Sequence, residues 1–284
     1  MKTRLIFTCL SMLLIFITGM NISLCDDITI ITISKETVEK IGPYPFTRDK
    51  YADFIESIYT SYSPKCVYFN LLISQHQQNA IKLDKKFFDA VAGKQNLFFS
   101  AMASDAAVEH ENYRNSQFNV IDFNRVWKPE GALFPLQEIA QNGAYTSISD
   151  VRLNKNGIVE MMPTVVQIDG NTYLSTPLFL TAEYLDVSPA EILRDRFITI
   201  GSNKIKTDKN GWFEIDFGHT FKKYSYHEVL NKKAQKETID GRIILLGIDF
   251  PQLESYLRIS NSKNIAGVEV IANATQTLID QLRE

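Results

Sequence analysis

The chain has 284 residues, 45% of them hydrophobic, enough to bury a full core as one large domain or two small ones and too apolar for a disordered or fibrous protein. Its 30 Lys and Arg against 33 Asp and Glu give a net charge of −3, with the basic residues scattered. The charge footprint of a nucleic-acid binder is missing, so no nucleic-acid partner is expected.

The N-terminus departs from this ordinary composition. Lys2 and Arg4 precede an almost wholly apolar run from Leu5 to Met20, broken only by Thr8, Ser11, Thr18 and Gly19. Positive charge followed by an apolar run is the layout of an export signal, and residues 1–25 are read as an export signal or membrane anchor. The remainder, 26–284, is then a single exported domain in the cell envelope, held on the extracytoplasmic side of the membrane. The run gives way to "NISLCDD", residues 21–27, which looks like a loose bacterial lipobox with Leu24 where a small residue is usual. Two alternatives stay open: Cys25 is lipidated and becomes the mature N-terminus, or the segment is an uncleaved anchor in which Cys25 is one more small apolar residue. With Cys9 inside the signal, maturation at Cys25 leaves Cys66 without a disulfide partner.

In chain order, "ITIITIS" (28–34) has the length and composition of a buried strand. The corner "IGPYPFTR" (41–48) follows, its prolines fixing backbone angles and Tyr44 and Phe46 available for packing. A helix comes next, with Thr47 at its cap and Tyr51, Phe54, Ile55, Ile58 and Tyr62 on one face. "CVYFNLLI" (66–73) reads as a second strand, "DKKFFDAVAG" (84–93) as a helix ended by Gly93, and "NLFFSAM" (96–102) as a third strand. This alternation predicts a parallel sheet.

Residues 103–142 keep no steady period and read as an irregular insertion. "GAYTSISDVRL" and "IVEMMPTVVQI", separated by "NKNG", predict a hairpin turning at Asn156-Gly157. "STPLFLTAEYL" (175–185) predicts a helix with Ser175 or Thr176 capping and Pro177 in the first turn. Short strands are expected between Phe197 and Phe217, a buried strand at "GRIILLGID" (241–249), and a last helix along "GVEVIANATQTLIDQL" (267–282). The fold class is therefore α/β, a mixed, mostly parallel sheet flanked by helices, with an inserted irregular segment and antiparallel hairpins.

Motifs of catalysis are absent from the sequence. The four histidines, His76, His110, His219 and His227, lie far apart, so no metal site is expected, and no GxSxG elbow, GxGxxG or Walker loop points to a cofactor. Cys66 sits in a strand-like run with no histidine nearby and reads as a core residue, so no catalytic residue is assigned. Open α/β sheets bind ligands beyond the carboxyl ends of their strands. That rule selects Asn70 and Asp249, polar residues at the ends of apolar runs, and Arg48, which follows the proline turn. Each is a candidate contact for an unknown small ligand. Each also has a structural reading, in which Asn70 and Asp249 tie loops together and Arg48 pairs with an acidic residue to lock the corner, and that reading is the favoured one for all three.

Several of these segments, in the same order, resemble the second type of CHASE domain, the extracellular sensory module of bacterial adenylate cyclases, histidine kinases and diguanylate cyclases. They are "DDITIITIS"; "GPYPFTR", close to the family's Gly-Pro-Trp-Pro-Trp-x-Arg; "VYFNLLIS", where Val-x-Phe-Asp is usual; "LDKKFFDAV"; "GAYTSISDVRLNKNGIV"; "TDKNGWFEIDF"; "IDGRIILLG"; and "IAGVEVIANATQTLI", close to Pro-Gly-Val-Glu-x-His-Ala-Asn. The resemblance runs from Asp26 to Leu282 and implies a non-enzymatic sensory role. Asn70 replaces the usual acidic residue, Ile271 stands where a histidine is common, and the polar, small-residue loop expected after the last strand is missing around Asp249. Family members commonly continue into transmembrane helices and a cytoplasmic output domain. The sequence ends at the last sensory helix, so the resemblance implies output through a signalling partner protein. A structural envelope protein that keeps the fold without a ligand is the alternative.

Overall fold

The computed structural model describes residues 24–77, 80–106, 117–118, 126–188, 191–194, 197–200, 202–254 and 256–283. The apolar run of residues 5–20 lies outside them. Cys25 is described only by its backbone, which pairs with Phe221. Among the described residues no helix is long and apolar enough to cross a membrane.

The centre is a seven-stranded sheet built from β1 (Leu24–Ile33), β2 (Cys66–Phe69), β3 (Leu97–Ser104), β4 (Gly131–Leu133), β5 (Tyr145–Ile148), β6 (Thr220–Ser225) and β7 (Ile243–Ile248). Six strands run parallel in the order β6-β1-β7-β2-β3-β5, and β4 pairs antiparallel with the last residues of β3. Alternate side chains feed two cores. Ile28, Ile30, Cys66, Tyr68, Phe98, Ile243 and Leu245 face one way. Ile31, Ile33, Val67, Phe69, Phe99, Ile244 and Leu246 face the other. Burial on both faces explains why these strands read as unbroken apolar runs.

The second core is covered by α1 (Lys35–Ile41), α2 (Arg48–Ser61), α3 (Ile81–Val91) and α6 (Tyr226–Leu230). The first is covered by α5 (Thr176–Tyr184) and α7 (Gly267–Arg283), and α4 (Gln137–Gln141) follows β4. Small antiparallel sheets surround this frame. One joins Val165–Ile168 to Asn171–Leu174, and another joins Trp212–Glu214 to Val159–Pro163.

Local chemistry shifted several expected elements. The opening strand does not pass straight into the corner, because Ser34 caps α1, its hydroxyl accepting the Thr37 N–H at 3.3 Å. Thr47 does stand at the cap of α2, but its side chain makes no cap hydrogen bond. The Arg48 N–H instead donates to Gln77 Oε1 at 2.9 Å. Between the two helices the Tyr44-Pro45 peptide is cis, and Phe46 is buried against Tyr51 and Tyr226. The Asn156-Gly157 turn forms, with Asn154 Oδ1 accepting the Asn156 and Ile158 N–H groups. Only Arg152–Leu153 pairs across it, however. The preceding Tyr145–Ile148 joins the central sheet as β5 because Thr146, Ser147 and Ile148 are all buried, which a hairpin arm facing water would not allow.

Helix α7 is fixed at both ends. At its start Val268 lies so close to β7 that a Cβ on Gly247 would stand 2.5 Å from the Val268 Cβ. At its end Arg283 grips Asp27 of β1 with two hydrogen bonds of 2.7 Å, while Gln276 and Tyr184 donate to the same carboxylate at 3.0 and 2.7 Å. Burial alone would raise the Asp27 pKa, yet the donors from Arg283, Tyr184 and Gln276 hold it below the usual carboxylate range. Gly247→Ala is expected to destabilise the fold by about 1–3 kcal/mol, since two Cβ atoms on rigid backbones cannot move apart without shifting helix or sheet. Denaturant unfolding of the variant against the parent chain measures this, and an unchanged midpoint would contradict the close approach.

Candidate functional site

Beyond the carboxyl ends of β7, β2 and β3 the sheet opens into a crevice of about 460 Å³. The strands reach it through Ile248, Asn70 and Ser100, and Gly267, Val270 and Ile271 of the first α7 turns bound it. Tyr44 from the proline corner, Asp150 and Val151 after β5, and Glu254 after β7 complete the polar and apolar lining. A larger opening of about 590 Å³ lies off the central sheet, between the Trp212–Asp216 segment and the last turns of α7. The strand-end crevice is the candidate site, because parallel α/β sheets place their ligands there.

Hydroxyl groups connect it to the core below. Ser100 Oγ and Ser149 Oγ are 2.7 Å apart, and Thr176 Oγ1 donates to the fully buried Tyr68 hydroxyl at 3.4 Å. Burial pushes the Tyr68 phenol up, against the pull of hydrogen bonds with Ser100, Ser149 and Thr176. Asp150 Oδ2 accepts the Ala103 N–H at 2.7 Å. Burial raises its carboxyl above the ordinary range despite that bond.

Glu254 sits on the turn that follows β7, its own N–H bonded to Phe250 O. Its carboxylate lies against Gly267 at the start of α7, a position the helix dipole favours for negative charge. Burial nevertheless pushes its pKa up to about 7; the Gly267 N–H opposes the rise and Asp249 adds to it. A Cβ on Gly267 would meet Glu254 Oε1 at 2.5 Å, so glycine is what lets the carboxylate reach the helix end.

Of the residues expected from sequence, only Asn70 lines the crevice. Its N–H donates to Leu246 O at 2.8 Å, extending the β2–β7 ladder by one residue. Asp249, at the end of β7, accepts a hydrogen bond from Tyr256 and lies 3.6 Å from Lys223 Nζ. Arg48 is held behind the corner, 3.7 Å from Asp84, with Nη2 donating to Gln75 O at 2.6 Å and the guanidinium over the Phe87 ring. Asp84 in turn meets His76, and His76 meets Glu138, so this chain of charges joins α2, α3 and α4. Cys66 is fully buried in β2, and burial pushes its thiol far up, which suits a core residue and not a nucleophile. Among the described residues no three His, Cys, Asp or Glu side chains gather as a metal cage would require.

Sequence reading missed Asp150, Glu254 and Tyr44. Asp150 follows a segment taken for a hairpin arm, so its position at a parallel strand end was hidden. Glu254 lies six residues beyond Ile248, further than a strand-end rule reaches.

An open, mostly parallel sheet with a largely apolar crevice at its strand ends defines an α/β domain of the kind that places its binding sites there. The family model for the CHASE2 domain matches residues 10–284, and the chain belongs to that family, whose members are extracytoplasmic sensory domains linked to signalling. No curated protein and no solved structure matches the chain.

The elevated Glu254 carboxyl predicts a pH dependence. Between its ordinary 4.5 and about 7 the folded chain keeps a proton that the unfolded chain has released. Stability attributable to this group therefore falls as pH rises through that window and stays low above it. The charged and titratable groups around it are Asp249, Tyr44 and Tyr256, with Lys223 on Asp249. Glu254→Gln keeps an acceptor for Gly267 and cannot ionise. Its stability relative to the parent chain is expected to grow with pH across the window, measured by thermal unfolding in a pH series. A difference that does not change with pH would assign the proton to another group.

Proposed function

We propose that this chain is a non-catalytic sensory module of the bacterial envelope, exported by residues 1–25 and held on the extracytoplasmic side through Cys25 lipidation or a retained anchor. The strand-end crevice is where it takes a small ligand. The observation that carries this reading is the position of α7. Its first turn bounds the crevice and its last turn grips the beginning of β1, about 25 Å away for a helix of 17 residues. A ligand seated against Gly267, Val270 and Ile271 is thereby linked to the pole where the N-terminal segment meets the domain. A signalling partner recognising that pole completes the pathway, and Asn70 is the expected polar contact for the ligand. Asp249 and Arg48 join the site only by exchanging their present partners for the ligand.

Those existing partners also support a second reading. Arg48 on Asp84 and Asp249 on Lys223 and Tyr256 suit a structural envelope protein that keeps the sensory fold without a ligand. A thermal-shift panel of small metabolites separates the two, since a ligand at 100 times its Kd stabilises the folded state by about 2.7 kcal/mol. Reproducible upward shifts are expected, and a flat panel favours the structural role. Fractionation is expected to recover the mature protein with membranes, and mass spectrometry to find either a lipidated Cys25 or the intact N-terminal segment. Recovery in the cytosol would overturn the envelope assignment.

A further inference from the structure

The crevice contains acids without a base. Asp150 and Glu254 line it, and none of the described residues that do is Lys, Arg or His. Three other sheltered carboxylates have a cation: Asp27 has Arg283, Asp84 has Arg48, and Asp249 has Lys223. Asp150 instead relies on the backbone N–H of Ala103, and Glu254 lies against Gly267 at the start of α7. An ionised carboxylate in such a place is costly until an opposite charge approaches it. The surrounding walls are hydrocarbon, from Leu71, Leu72, Val151, Val270 and Ile271, with the Tyr44 ring beside them. The apolar character continues to the mouth, where Met102 is 46% and Leu153 52% exposed.

We propose that the crevice takes a small organic cation, with an ammonium group at one of its two acids, Asp150 or Glu254, and a hydrocarbon body against Leu72, Val270 and Ile271. This rests on the crevice being the sensory site. A volume of about 460 Å³ suits a body the size of one or two rings. An organic anion would meet two acids and no base. A metal ion would find only two carboxylates among these walls, and no three His, Cys, Asp or Glu side chains gather among the described residues to hold one. The ammonium ion supplies the charge that the lining omits.

Phenethylamine, phenylpropionate and phenylpropanol, which share one body and differ in charge, test the proposal by calorimetry and thermal shift on the full chain in detergent. Phenethylamine is expected to bind and raise the melting temperature, and the other two are not. Asp150→Asn with Glu254→Gln, which removes charge at constant size, is expected to weaken the amine by at least about tenfold. The single substitutions serve if the double variant does not fold. Leu153→Trp narrows the mouth from an exposed position and is expected to weaken the amine without changing either acid. Binding of phenylpropionate or phenylpropanol as tight as that of the amine, and weakened by Leu153→Trp, would overturn the cation and leave the crevice as a site. Amine binding that survives removal of both acids would do the same. No binding by any of the three, or amine binding unaffected by Leu153→Trp, would overturn both.

Discussion

The architecture depends on how closely α7 lies against the sheet. Gly247 is the point of approach: with no side chain there, Val268 presses onto β7, and the helix runs from that point across the first core toward α5 and β1. Any larger residue would lift the first turn. Lifting it would also withdraw the Gly267 N–H from Glu254, move Val270 and Ile271 away from Asn70, and open the crevice from above. A missing methyl group thus fixes the core and the shape of the site together.

The polar groups divide by task. Arg48, Asp84, His76 and Glu138 form a chain of pairs that joins three helices and the loop after β2, and the guanidinium side chain is only 11% exposed. Such a cluster contributes position more than stability, because desolvation offsets much of the attraction between its members. Around the crevice the pattern reverses. Its acids face no Lys, Arg or His among the described lining residues, its hydroxyls bond one another, and burial raises both acids above the usual carboxylate range. Arg48 and Asp84 face each other within the scaffold, whereas the two crevice acids face no Lys, Arg or His among the described lining residues.

Legibility in the sequence followed burial. "ITIITI" and "IILLGI" announce themselves because both faces of these stretches of β1 and β7 are covered, so every position in them is apolar or threonine. The edge strand β6, "TFKKYS", was passed over because only Phe221 and Tyr224 are buried, while Lys222 and Lys223 guard the open edge. Helices α1 and α6 were too short to show a period. The direction of β5 is beyond local reading: Asn156-Gly157 is a strong turn signal, but whether Tyr145–Ile148 pairs across it or with β3 is decided by a partner 47 residues away. The same distance hid Asp150. In the corner "GPYPFTR" Arg48 lies 3.7 Å from Asp84, and Tyr44 reaches the crevice, an addition that its ring alone does not foretell.

The grip of Arg283 on Asp27 gives the domain a mechanical polarity. Chain enters β1 and leaves α7 through one doorway, closed by one carboxylate and its ring of donors. A load that separates these two ends falls first on that latch and only later on the ladders joining β1 to β6 and β7. A twist or tug at the doorway and a change at the far end of α7 are therefore two handles on one rigid rod, and the latch sets how much play lies between them.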